Sequence, residues 1–222
     1  MDDIYSNTDD ANEEEWAMFA AVEQFGRCAP LLTDEKERFD LAGLYLDAAL
    51  AAIDESAFST ASGLLSSGID LLGEKSSWSS TDSEGYGLRL DYERLIAEMD
   101  LCLGNVSDCI ERCTLITANA KSFEDKLGPY FTLVNAHSSQ GDNEETWKLC
   151  CSLLEHLGVN LTQSAGWKLR RQVTKELAKT KKSLDRYSSE EDFLYLPTMT
   201  DTLKIAAMKL LSRLLNAAWH CE

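Results

Sequence analysis

Apolar residues recur at helical spacing through most of the chain. Phe39, Ala42, Gly43, Leu46, Leu50 and Ile53 fall at i, i+3, i+4, i+7, i+11 and i+14, the stripe that a period of about 3.6 residues places on one face of a helix. Tyr92, Leu95, Ile96, Met99 and Leu103 follow the same template, as do Leu127, Tyr130, Phe131 and Val134. Each of these predicted helices precedes a second one with small or apolar residues on one face. The second set is Ala61, Leu64, Leu65, Gly68 and Leu72; then Cys109, Cys113, Ile116 and Ala120; then Leu149, Cys150, Leu153, Leu154 and Leu157. The pattern predicts three helical hairpins.

Related turns join the two helices of each hairpin. They begin at Ser56, Gly104 and Gly141, 48 and 37 residues apart, against about 34 for a tetratricopeptide unit. The polar insert GEKSSWSSTDSEGYG, 73–87, accounts for the longer interval. Gly with Asn or Asp stops one helix and caps the next, and the small residue closing each turn allows close helix crossing. The expected fold is all-α, an irregular tetratricopeptide-like α-solenoid of about three hairpins. An unrelated helical bundle with similar turns is the competing arrangement.

Three further helices flank the hairpins. The segment EEEWAMFAAVEQFGRCAPLL predicts an N-terminal helix with Trp16, Phe19 and Ala20 on one face, ended by Pro30. After the hairpins, Trp167 to about Tyr187 places Leu169, Val173, Leu177 and Leu184 on one side of a helix. Lys168, Arg171, Lys175, Lys179, Lys182 and Arg186 line its opposite side. The last helix carries Leu203, Ala206, Ala207, Leu210, Leu214 and Ala217, with Thr200 or Asp201 placed to cap it. Its stripe is expected to close the final apolar edge of the array or to be left exposed for a neighbour. The resulting division is a disordered acidic segment over 1–12, a helical-repeat domain over 13–188, a linker over 189–199 and a C-terminal amphipathic helix over 200–222.

Composition narrows the function. The chain has 222 residues, 21 Lys plus Arg and 38 Asp plus Glu, a formal charge of −17, which disfavours general binding to nucleic acid or anionic membrane. The basic stripe stands out against that background. It is either a solvated helix face or a docking site for an acidic segment, such as the chain's own Asp9, Asp10, Glu13, Glu14 and Glu15. The acidic N-terminus is unlike a secretory signal or a transit peptide, and seven cysteines without framework spacing suit a reducing compartment. These features predict an intracellular, cytoplasmic protein.

No catalytic constellation emerges. Cys109 and Cys113 share a helix face at i, i+4, but no close ligand pair of the C-x-x-C kind accompanies them, so buried thiols are expected rather than zinc ligands. His137 lies on an apolar stripe and reads as an interior or groove residue. The sequence lacks a P-loop, a dinucleotide-binding glycine motif and kinase signatures. No cofactor, metal or catalytic residue is therefore expected.

Two stretches resemble a known family: residues 35–73, EKERFDLAGLYLDAALAAIDESAFSTASGLLSSGIDLLG, and residues 193–219, FLYLPTMTDTLKIAAMKLLSRLLNAAW. Both are similar to the helical-repeat region of very large signalling proteins that also carry a serine/threonine kinase-like domain, an AAA or STAND-type ATPase, a GAF domain and a histidine kinase. Leu196, Pro197, Met199, Thr200, Asp201, Ala206, Ala207, Met208, Leu210 and Leu211 match the family's closing segment in order. None of the family's catalytic residues has a position in this chain. The resemblance implies a non-enzymatic module that receives or relays signals by contact with a protein partner or with neighbouring domains. The alternative is a piece of a multidomain ATP-dependent kinase whose catalytic domains lie outside these residues. In either case the surface expected to carry contacts is the basic stripe, while Tyr45, Tyr92 and Tyr130 are either groove anchors or core.

Overall fold

The computed structural model describes residues 3–73, 76–161, 167–185, 187, 192 and 194–220. Side chains are described within 16–73, 76–161, 170–185, 187, 192 and 194–215. Among the described residues the protein is all-α, with nine helices, one short 3-10 turn at Ala29–Leu31 and no strand. The helices are α1 (Asp3–Cys28), α2 (Glu35–Asp54), α3 (Phe58–Ile69), α4 (Ser83–Cys102), α5 (Val106–Asn119), α6 (Phe123–Ser139), α7 (Asn143–His156), α8 (Trp167–Leu184) and α9 (Thr202–His220). Every helix expected from the periodicity is present. α1 begins at Asp3 rather than near 13, so it takes in most of the segment expected to be disordered. Acidic residues in a first turn favour helix through the macrodipole.

Local chemistry sets most of the boundaries. Asp34 accepts from the Lys36 amide, Asp82 from Glu84 and Gly85, Asp142 from Glu145, and Asp201 from Lys204. Ser122 and Asp125 form a reciprocal capping box at the start of α6. Asn105, expected to cap α5, makes no side-chain cap bond. The turns at 56, 104 and 158 end their helices alike, with a residue at positive φ followed by an amide that bonds back five residues: Ala57 to Ala52, Asn105 to Asp100, and Val159 to Leu154. Ser56 holds this left-handed conformation at φ 60 without being glycine.

The chain gathers into two compact units, Met1–Gln140 and Gly141–Glu222. The boundary between the units lies at the turn joining α6 and α7. In the first unit, α1 packs on α2, then α2 on α3, α3 on α4, α4 on α5 and α5 on α6, and α4 also touches α6. In the second unit α7 packs against α9.

The core of the first unit is closed by a tyrosine set against a glycine. Tyr92 of α4 is fully buried and donates its hydroxyl to the Ala42 carbonyl of α2 at 2.6 Å. Burial, with smaller contributions from Tyr45 and Asp47, pushes the phenol up, so it remains a neutral donor. On α3, Gly68 leaves room for that ring: a Cβ there would overlap the Tyr92 phenol and press on the Tyr45 Cβ at 2.8 Å. Tyr45 and Tyr92 are therefore core residues and supply no groove anchor, while Tyr130 is half-buried. In the N-terminal helix Val22 is buried and Phe19 packs against the same core as expected, whereas Trp16, expected on that face, is 74% exposed.

Two polar ties reinforce the stack. Glu93 of α4, buried, is held by Arg89 at 2.6 Å and by Arg112 of α5 at 2.5 Å. Tyr86 donates to Asp125 at 2.9 Å and accepts from the Lys121 amide at 2.9 Å, while the Lys121 ammonium lies 3.9 Å from the Tyr86 ring centre. The α4 N-terminus is thereby fixed to the α5–α6 junction.

Two substitutions test the tyrosine–glycine contact. Gly68→Ala overpacks a filled site and is expected to cost about 1–3 kcal/mol in urea unfolding. Gly43→Ala, in α2 with nothing within 4 Å of the added methyl, is expected to stabilise by about 0.5–1 kcal/mol through reduced chain entropy.

Candidate functional site

Within Gly141–Glu222 the closing helix and the basic helix part company. The α9 stripe is covered: Ala206, Ala207, Leu210 and Leu214 are buried, with α7 as the packing neighbour rather than α8. Facing them, α7 buries Thr146, Cys150, Leu153 and Leu154. The question left by the sequence, whether the α9 stripe is covered or left exposed for a neighbour, resolves as burial against α7. By contrast, α8 keeps its apolar side open, with Val173 48%, Leu177 64% and Leu184 48% exposed.

Between these elements lies an open cleft of about 840 Å³. Trp147 of α7, Val159 and Leu161 of the following segment, Val173 and Leu177 of α8, and Leu214 of α9 give it an apolar lining. Gln172, Glu176 and Thr180 line it from α8, with Glu155 from α7. An amphipathic helix exposing its apolar side would ordinarily bury that side against a neighbour. Here the α8 stripe forms a cleft wall instead.

The cleft offers little chemistry. Its one thiol, Cys151, is pushed up by burial and stays protonated, and a thiol, unlike a thiolate, is a poor nucleophile. Deeper in α7, burial pushes Cys150 up to about 11, with Arg213 of α9 working the other way. Among the described residues no group of three or more His, Cys, Asp or Glu is placed to hold a metal ion. Cys109 and Cys113 are fully buried in the first unit, where their mutual hydrogen bond and burial push the Cys113 thiol up. They are packing residues, and His137 of α6 is half-buried.

Of the basic residues singled out from the sequence, Arg171, Lys175, Lys179 and Lys182 are exposed on α8. The Lys179 ammonium pairs with Glu176 at 2.7 Å. The Lys168 side chain and Arg186 lie outside the described residues. At about 100° per residue this stripe falls opposite the cleft wall. Arg170 and Lys181 are the basic residues that adjoin the wall, because Arg170, Val173, Leu177, Lys181 and Leu184 follow one another at i, i+3, i+7, i+11 and i+14. That interleaving was visible in the sequence but was masked by the larger stripe. Trp147 and Val159–Leu161 had no periodic signal of their own.

The first unit presents a second open patch. Phe25 of α1, Leu32 after the 3-10 turn, and Leu41 and Leu44 of α2 line a groove of about 370 Å³ bordered by Glu37 and Asp40. On the α2–α4 face, burial raises the carboxyls of Asp91 and Glu98, against a smaller opposing effect of Arg94. Both bind a proton more readily folded than unfolded, so their charged forms oppose folding at neutral pH. That cost is relieved as pH falls toward the raised values.

No family model, curated protein or solved structure matches this chain. Among the described residues no helix is long and apolar enough to cross a membrane.

Truncation separates the covered stripe from the open one. Leu210→Ala is expected to cost about 2–5 kcal/mol, whereas Leu177→Ala should stay within about 0.5 kcal/mol. Denaturant unfolding of the two variants against the parent chain measures the difference.

Proposed function

We propose that this protein is a non-enzymatic, tetratricopeptide-like helical-repeat module that docks a protein partner, and that the cleft along α8 is where docking occurs. The observation that carries this reading is the open apolar stripe of Val173, Leu177 and Leu184 on a strongly basic helix. Trp147, half-exposed beside it, supplies the aromatic anchor that interfaces favour. The hairpin spacing and the resemblance of residues 193–219 to the repeat region of signalling ATPase/kinases support a role in signal relay inside the cell.

The alternative is that these residues belong to a longer ATP-dependent kinase and that the partner is a neighbouring domain of the same protein. One observation favours it: the segment matching the family's closing motif holds Leu194, Tyr195, Leu196 and Met199 on the surface, an apolar run suited to a further contact.

Affinity capture with the full chain and with Leu177→Asp tests the docking role. A partner held by the parent chain and lost from the variant, at unchanged far-UV circular dichroism, is the expected result. The same partner should slow alkylation of Cys151 by about tenfold or more when it fills the cleft. Identical capture by both chains, with Cys151 alkylation unaffected, would remove the cleft from the function.

A further inference from the structure

The two units differ sharply in charge. Met1–Gln140 holds 27 acidic and 9 basic side chains, a formal −18, whereas Gly141–Glu222 holds 11 acidic and 12 basic, a formal +1. Most of the positive charge of the second unit sits on α8, whose 18 residues carry seven Lys or Arg and one Glu. The basic helix exposes an apolar stripe with Arg170 and Lys181 beside it. In the acidic unit, the groove between α1 and α2 exposes an apolar floor with Glu37 and Asp40 beside it. Among the described residues both surfaces stand open, and each has what the other requires.

We propose that α8 of one chain docks in the α1–α2 groove of a second copy. Val173 and Leu177 then cover Phe25, Leu32 and Leu44, while Arg170 and Lys181, at either end of that stripe, bring positive charge to the acidic border of Glu37 and Asp40. The groove residues fit a helix partner because Glu37, Asp40, Leu41 and Leu44 share one face of α2 at i, i+3, i+4 and i+7. Apolar strips of this kind meet as a helix laid in a groove, with the flanking charges setting register and approach rate. Phe25, within the groove, is 57% exposed, and Leu31, 78% exposed, extends the apolar edge beyond it.

Each chain owns one groove and one basic helix. Two copies exchanging both contacts make a closed two-fold dimer, and no third chain is needed to satisfy either surface. The dimer rests on the reading of α8 as a contact helix and gives it a specific occupant. It also predicts competition, because a protein partner in the α8 cleft must displace the second copy. Self-association thereby hides the cleft until a partner arrives.

Sedimentation velocity of the full chain tests this directly. From about 1 to about 100 µM the expected result is a monomer–dimer equilibrium, weakened on going from about 0.05 M to about 0.5 M salt as the flanking charges are screened. Arg170→Glu with Lys181→Glu should weaken the dimer about tenfold or more, and so should Glu37→Lys with Asp40→Lys. An equimolar mixture of the two doubly substituted chains should restore complementary charge at both contacts, one parental and one reversed, and associate more tightly than either alone. That recovery separates a lost contact from a misfolded variant. A chain that stays monomeric throughout, or a dimer indifferent to both charge reversals, overturns the proposal. If the dimer fails while Leu177→Asp still abolishes partner capture, the cleft keeps its docking role without self-association. If capture fails while the charge-dependent dimer persists, the contact helix serves the second copy alone.

Discussion

Three helices of the first unit converge on a single ring. Tyr92 reaches from α4 to the Ala42 carbonyl of α2, and it fits only because α3 passes with Gly68 at the crossing. The hydroxyl bond satisfies a buried donor that would otherwise be costly. The ring also spans helices that are not consecutive in sequence. Once α2, α3 and α4 are locked at this distance, Ala48, Ala49, Ala52, Ala61 and Leu65 fill the remaining core. Small residues recur here because the helices approach closely, and a larger side chain at most of these positions would separate them. The Glu93 and Tyr86 networks extend the same order toward α5 and α6.

Element positions were legible because helix periodicity and turn chemistry are local. Phe39 to Ile53 and Tyr92 to Leu103 read correctly as helices, and Gly104 and Gly141 sit at positive φ where turns were expected. Asp201 caps α9 as its position suggested. What was not local could not be read. An amphipathic stripe states that a face wants cover without saying which neighbour supplies it. The stripe of α9 thus gave no sign that α7 would be its partner. Trp16 looked like a core residue by periodicity, yet it stands exposed.

The candidate site was legible only in part, for a related reason. The seven basic residues of α8 are obvious in an acidic chain, so attention goes to the face they dominate. The more informative face is the other one, where Val173, Leu177 and Leu184 resemble an ordinary buried stripe in sequence and stand open in the structure. Burial is a property of the whole packing arrangement, so the sequence of one helix does not fix it. Trp147 and Leu161 enter the cleft from separate segments, and only the folding of α7 and its following turn against α9 brings them to it.

The central claim is that two amphipathic helices of the second unit have opposite fates: α9 is spent on the core of its unit, and α8 is kept for contact. Amide hydrogen exchange on the full chain, at a concentration low enough to hold it monomeric, tests this most directly. The expected result is strong protection from Ala206 to Leu214 together with α7, and exchange about a hundredfold or more faster from Val173 to Leu184. Equal protection of α8 and α9 in the dilute chain would mean that the α8 stripe is already buried, and would contradict its role as a docking surface.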